Sequence, residues 1–392
     1  MIKVEEARKL ILTCDDRVRH VMEVSLEDAL GYSLAEDIIS LIDMPPFRQS
    51  SMDGYAINIG DSSNYKVIGE IKAGDNHDFH LTSGEAVRIY TGAPVPDTSN
   101  AVLIQEKIEV EDDQIFTEET PDSGMNIRPI GEQIRKDELA LKAGVRINSA
   151  HIGFISSVGV NKVKVYSKPS IAIVVTGNEL VTNGLVLPYG KVYESNGPML
   201  RSMLASEQYN VPEVIRVEDN YESTIYTLGT TISDNDVVII TGGISVGKYD
   251  FVGRALKNLN VQEIFYKVNQ KPGKPLFYGK KGNTSIFALP GNPAAALTCF
   301  YIYVYPLLKT LEGASKKELN SLNLSSLSNY NSKETRAQFL KAVIQEDGVQ
   351  ILGGQSSAML SAFGEANALI FLPENTFNIT KGDKVKTILL PW

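Results

Sequence analysis

Cysteine, tryptophan and histidine are scarce: a chain of 392 residues holds two, one and four of them. Cys14 and Cys299 are too few for a disulfide framework or a cysteine metal cluster, which fits a reducing compartment. His77 and His80 lack further ligands nearby and read as incidental loop residues. Positive charge is also short, with 38 Lys and Arg against 47 Asp and Glu for a net charge of −9. That balance argues against general nucleic-acid binding, and an anionic ligand would need a locally basic pocket or a bridging cation. Long apolar runs are missing too. Ile171–Val175 and Val237–Ile240 are strand-sized and far short of a membrane span. The start, MIKVEEARKLIL, has acidic residues inside it and no apolar core, so it does not read as a signal peptide. The expectation is a cytoplasmic protein that engages neither membrane nor nucleic acid.

What is present has a clear order. The length suggests about two to four domains. Val4, Ala7, Leu10 and Ile11 recur at helical spacing, and Ser25–Leu30 opens a second helix-like stretch. From Met44-Pro45-Pro46-Phe47 onward, short β-rich runs (Tyr65–Gly69, Glu85–Tyr90, Ala101–Glu106, Gln114–Glu118) alternate with turn residues. The pattern then changes to apolar strands alternating with helices: strands at 170–176, 211–217, 236–241, 261–266 and 285–289, helices at 197–208, 221–233, 250–259 and 293–311. Such alternation predicts a multidomain α/β plus β chain whose centre is a parallel sheet covered on both faces. The expected domains are 1–43 with 136–168 (helical and mixed), 44–135 (β-rich), 169–314 (α/β) and 315–392 (β).

In parallel sheets ligands bind at the carboxyl ends of the strands. There the sequence places Thr176-Gly177-Asn178-Glu179 and the loop Thr241-Gly242-Gly243-Ile244-Ser245-Val246-Gly247-Lys248-Tyr249-Asp250. The glycines can present backbone N–H groups to a phosphate, although a tight turn capped by Asp250 explains the loop as well. Lys267, Lys271 and Lys274 fall within a short stretch, two of them fixed in Lys271-Pro272-Gly273-Lys274-Pro275. Rigid cations on an acidic protein suit an anion seat, while the prolines also serve simple turns. Pro290-Gly291-Asn292-Pro293 leaves backbone amides open before a helix that Pro293 can start. Glu179, Asp219 and Asp250 lie just past strand ends or at helix starts. A carboxylate beside a phosphate repels it unless a divalent cation such as Mg²⁺ joins the two, although an Asp at a helix start is often only a cap.

The blocks SSMDGYA, RIYTGAPVP, TGNEL, TGGISVGKYD, KPGKP and LPGNP, in that order, resemble the molybdopterin molybdenumtransferases, the bacterial MoeA proteins and their gephyrin E-domain relatives. The resemblance runs from about residue 2 to 390. It implies that molybdate and adenylylated molybdopterin give molybdenum cofactor and AMP with Mg²⁺, in an elongated homodimer. Carried over by motif, it implies catalytic Asp53, Glu179, Asp219 and Asp250, the last three also as metal ligands. Substrate contacts would come from Thr91, Gly242, Gly243, Ser245, Gly247, Lys267, Lys271, Lys274, Pro275, Pro290, Asn292 and Pro293, with Arg336, Ser356 and Ser357 on softer matches. The family's cleft lies between two subunits, so Asp53 would act across the dimer. Molybdopterin adenylyltransferase and molybdoenzyme chaperones are the protein partners it implies. Two departures stand out: Gln133 where relatives often carry Asp, and Ala294-Ala295 where many carry Val-Ser. The rival readings are molybdopterin adenylyltransferase, which needs neither flanking β domain, and a non-enzymatic scaffold.

Overall fold

The computed structural model describes residues 1–392 except 14–18, 62, 77–78, 119, 211–212 and 245–250. The central sheet is built from β1 (Ile171–Thr176), β2 (Val214–Val217), β3 (Val237–Thr241), β4 (Gln262–Tyr266), β5 (Phe277–Lys281) and β6 (Thr284–Leu289), in the order β2-β1-β3-β6-β5-β4. β2, β1, β3 and β6 run parallel. β1, β3 and β6 are buried along their whole length, which is why their sequences are near-continuously apolar rather than alternating. The expected parallel sheet carries one antiparallel hairpin. β5 and β6 form a hairpin across Gly282-Asn283, so β5 alone runs against the other strands, and the edge strand β4 pairs antiparallel with it.

Helices α1 (Asn196–Ser206), α2 (Tyr221–Asp234) and α3 (Phe251–Asn258) follow β1, β2 and β3. After β6, α4 (Pro293–Cys299) passes through a π-helical turn (Phe300–Val304) into α5 (Tyr305–Leu311). This continuous stretch is the one described helix long and apolar enough to span a bilayer, yet 94% of it is buried inside the protein. It packs with β1, β3, α1 and the N-terminal helix Val4–Thr13 into the largest core, which continues into the C-terminal sheet through Phe339, Leu369 and Ile388. α2 and α3 cover the opposite face through Leu228, Ile232, Val252 and Leu256.

Ahead of the central sheet, Val21–Ser25 pairs with Lys162–Tyr166, and Ile38–Ile39 with Leu139–Leu141. The helix-like stretch at Ser25–Leu30 is a single 3₁₀ turn, Glu27–Ala29. The β-rich region holds a six-stranded sheet whose middle includes Gly54–Ile57, a strand hidden in the SSMDGYA block. The C-terminal sheet contains Ser321–Ser325, Ala337–Gln345, Gly348–Ile351, Ala368–Leu372 and Lys384–Leu389. Its edge is completed by Gln270–Lys271, which pairs in parallel with Ala337 and Gln338. The lysine-rich loop of the central domain is thereby sewn to the C-terminal one.

Candidate active site

A cleft of about 580 Å³ opens at the carboxyl ends of β1, β3 and β6, where an open α/β sheet binds its ligands. Thr176, Glu179, Gly242, Gly243, Pro275, Pro290, Asn292 and Pro293 line it, together with Glu194, Ser195 and Asn196 at the start of α1. Gly242 and Gly243 have φ of +87° and +62°, and a Cβ on Gly242 would sit 2.1 Å from the Thr176 carbonyl oxygen. Only glycine lets the β3 loop lie this close to the end of β1. Ser245, Gly247 and Asp250, expected in the same loop, lie outside the described residues, as does His77.

Glu179 is at the mouth of the cleft, and no described side chain pairs with its carboxylate. Asp219 is differently placed. Its Oδ1 accepts the Thr176 hydroxyl, its Oδ2 accepts the Asn178 N–H at 3.0 Å, and its own N–H donates to Asn178 Oδ1 at 3.1 Å. Asp219 does not line the cleft; it clasps the TGNE turn from behind. Among the described residues no three His, Cys, Asp or Glu side chains converge to form a metal site. A hard cation that keeps waters and takes one carboxylate plus ligand phosphates still fits the oxygen donor that Glu179 leaves free.

Sequence reasoning passed over Asn196, which is 8% exposed. Its Nδ2 donates to Thr241 Oγ1 at 2.7 Å and to the Gly291 carbonyl at 2.9 Å. The Gly291 carbonyl can only accept, which fixes the orientation of the amide. Oδ1 then remains a buried acceptor beside the cleft with no donor among the described residues. Such a group costs roughly 1–3 kcal/mol unless a ligand supplies an N–H or O–H.

Of the lysine loop, Pro275 lines this cleft, whereas Lys267, Lys271 and Lys274 are not among its lining residues. Residues 267–276 form a loop closed at its base by Lys267 N–H to Leu276 C=O at 2.9 Å. Lys271 and Lys274 are exposed, and Lys267 lies over the Tyr266 ring at 4.7 Å. Arg336 donates to the Gln270 carbonyl at 3.3 Å and grips both oxygens of Glu334 at 2.7 Å. Those Arg336 hydrogen bonds pull the Glu334 carboxyl down to about 2, and Lys271 lies 3.8 Å from the same group. Ser357 Oγ accepts from Asn292 Nδ2 at 2.9 Å, so the C-terminal domain also reaches the cleft's rim. Ser356 is held through its carbonyl by Lys341 Nζ at 3.1 Å. Lys341, only 4% exposed and absent from the sequence reading, also holds the carbonyl of Met359, and burial pushes its ammonium pKa down.

Asp53 and Thr91 lie elsewhere. Asp53 Oδ1 accepts the Thr91 N–H at 2.7 Å and its hydroxyl at 2.8 Å, and these two bonds hold the Asp53 carboxyl below its usual range. They are together, as their motifs suggested. None of the described residues lining the cleft comes from 44–135, so within one chain Asp53 and Glu179 do not share it.

Family profiles described as MoeA N-terminal region (domain I and II), probable molybdopterin binding domain, and MoeA C-terminal region (domain IV) match residues 2–159, 172–310 and 323–390. A molybdopterin molybdenumtransferase of Staphylococcus epidermidis is 33% identical, with 99% of this chain and 95% of the relative covered. One from Haemophilus influenzae is 33% identical with 98% of each covered. The crystal structure of a molybdopterin biosynthesis MoeA protein from Pyrococcus horikoshii superposes with a TM-score of 0.86 at 27% identity, covering 99% of this chain and 100% of that one. Profiles, relatives and fold agree from end to end, and the chain belongs to the molybdopterin molybdenumtransferase family.

Proposed function

We propose that this protein inserts molybdenum into molybdopterin, converting molybdate and adenylylated molybdopterin to molybdenum cofactor with release of AMP. One observation carries the reading furthest: the β1–β3–β6 cleft, with its open glycine backbone, stands beside a lysine loop anchored to a second domain. The substrates call for that pairing. A pterin with a phosphate tail needs amide donors and an acceptor for its ring N–H groups, which Gly242, Gly243 and Asn196 Oδ1 offer. Molybdate is a tetrahedral dianion and needs cations held in place, which Lys271 and Lys274 offer, with Lys267 and Arg336 nearby. Pro275 and Pro293 leave part of the cleft wall without side-chain donors.

Glu179 would hold Mg²⁺, which when bound neutralises charge on the adenylate phosphates. Asp219 keeps the Glu179 turn in place by accepting from Thr176 and Asn178, a positioning role beside the metal-ligand role the resemblance implies. Asp53, remote from the cleft of its own chain, would serve the cleft of a second copy in a homodimer. The test is to incubate the purified protein with adenylylated molybdopterin, Mg²⁺ and molybdate and to follow AMP. Molybdate-dependent AMP release at a catalytic rate is expected; no release by folded protein rejects the proposal.

A further inference from the structure

Lys271 and Lys274 sit at the ends of a turn with a polar plug beneath it. Gln270 is fully buried, and its Nε2 lies 3.0 Å from the Pro272 carbonyl and 3.3 Å from the Gly273 carbonyl, inside the turn that separates the two lysines. Its Oε1 accepts the hydroxyl of Tyr303, which is also fully buried. Tyr303 lies within the π-helical turn between α4 and α5. A π turn admits one residue more than an α turn, so it re-aims the side chains it contains and is frequent at functional sites. The helix carrying that turn begins at Pro293, on the rim of the cleft. One rigid element thus defines both the cleft wall and the floor of the lysine loop.

We propose that Gln270 and Tyr303 are positioning residues that set the separation of Lys271 and Lys274 for a tetrahedral oxyanion. The inference rests on the reading of those lysines as the molybdate seat. Tyr303 fixes which way the Gln270 amide faces. Gln270 in turn fixes the two carbonyls of the turn, and the lysine backbones follow. Exposed lysines otherwise keep their rotamer freedom, so a fixed backbone is what limits the geometries they present together. The buried bonds around Gln270 are all made, and a satisfied buried polar network specifies one arrangement.

The experiment measures AMP release by the full-length enzyme against molybdate concentration. Tyr303→Phe removes one hydroxyl at constant shape. It should raise the molybdate concentration for half-maximal rate roughly three- to tenfold, the scale of one displaced hydrogen bond, while kcat and the KM for adenylylated molybdopterin stay within about twofold. In a Lys271→Ala/Lys274→Ala background the same change should add nothing. If Tyr303→Phe fails to fold, the pair Gln270→Met/Tyr303→Phe replaces both partners with apolar groups of similar shape, a substitution that can be nearly neutral for stability. A purely structural role then predicts normal molybdate dependence, whereas positioning predicts the same rise. Wild-type molybdate dependence in either folded variant, or an equal loss without the lysines, overturns the proposal alone. A double-lysine variant with unchanged molybdate dependence overturns the seat itself and this inference with it.

Discussion

Gly273→Ala tests how tightly the lysine loop is seated. Gly273 has φ of +87°, and a Cβ there would meet Cys299 Sγ at 2.4 Å and Gln270 Nε2 at 2.8 Å. Cys299 is fully buried and cannot swing into solvent. Two costs add. Left-handed backbone costs alanine about 1–2 kcal/mol, and an extra methyl in a packed interior costs about 1–3 kcal/mol. A total near 3 kcal/mol lowers the melting temperature of a folding unit this size by about 6–12 °C. Cys299→Ala removes the closest atom and by itself leaves a small cavity worth about 1 kcal/mol. In that background Gly273→Ala should keep its backbone cost but lose most of its contact cost, giving a coupling of about 1–2 kcal/mol in a double-mutant cycle. Differential scanning calorimetry on the four proteins measures it, read on the transition that carries the central domain because a chain of several domains need not melt as one. A Gly273→Ala protein that melts with the wild type refutes the geometry. A penalty unchanged by Cys299→Ala shows that backbone conformation, not contact with the thiol, makes glycine necessary.

Two further predictions concern carboxylates. Glu334 titrates near 2 in the folded chain, against an ordinary value of 4.5, because Arg336 holds it; its stabilisation is complete above the unfolded value and is lost as pH falls through the folded one, so the stability gap between wild type and Glu334→Gln should shrink between about pH 4.5 and 2, and parallel acid-melting curves would contradict it. Glu179→Gln should melt normally, release AMP at least about tenfold more slowly and recover partly with added Mg²⁺, whereas Asp219→Asn should lower the melting temperature through loss of its clasp on Thr176 and Asn178; the reverse pattern would exchange their roles.

Much of the architecture is legible in the sequence, for a local reason. Strands buried on both faces must be apolar throughout, so Ile171–Thr176 and Val237–Thr241 announce themselves, and with them the loops at the sheet's ligand-binding edge. The clustering of Lys267, Lys271 and Lys274 is equally local, as are the ordered blocks that carry the family resemblance. What only the tertiary structure decides is which distant groups meet. Phe277–Lys281 is not among the strands expected from the pattern, and only its hairpin with β6 sets one strand against the parallel set. Asn196 reads as one more polar residue at a helix start until Thr241 and Gly291 take its donors and leave its oxygen facing the cleft. Asp219 stands in sequence as a third carboxylate at a strand end, and only the fold puts its oxygens on Thr176 and Asn178. Nothing in the sequence singles out Lys341, yet its ammonium is buried and holds the carbonyls of the loop that brings Ser357 to Asn292. Gln270 and Tyr303 are far apart in sequence, and no periodicity links them, because the turn that joins them breaks the α-helical repeat. Backbone pattern follows from each residue's own burial, which composition records; polar pairing depends on the positions of two residues at once, and only the folded chain supplies the second.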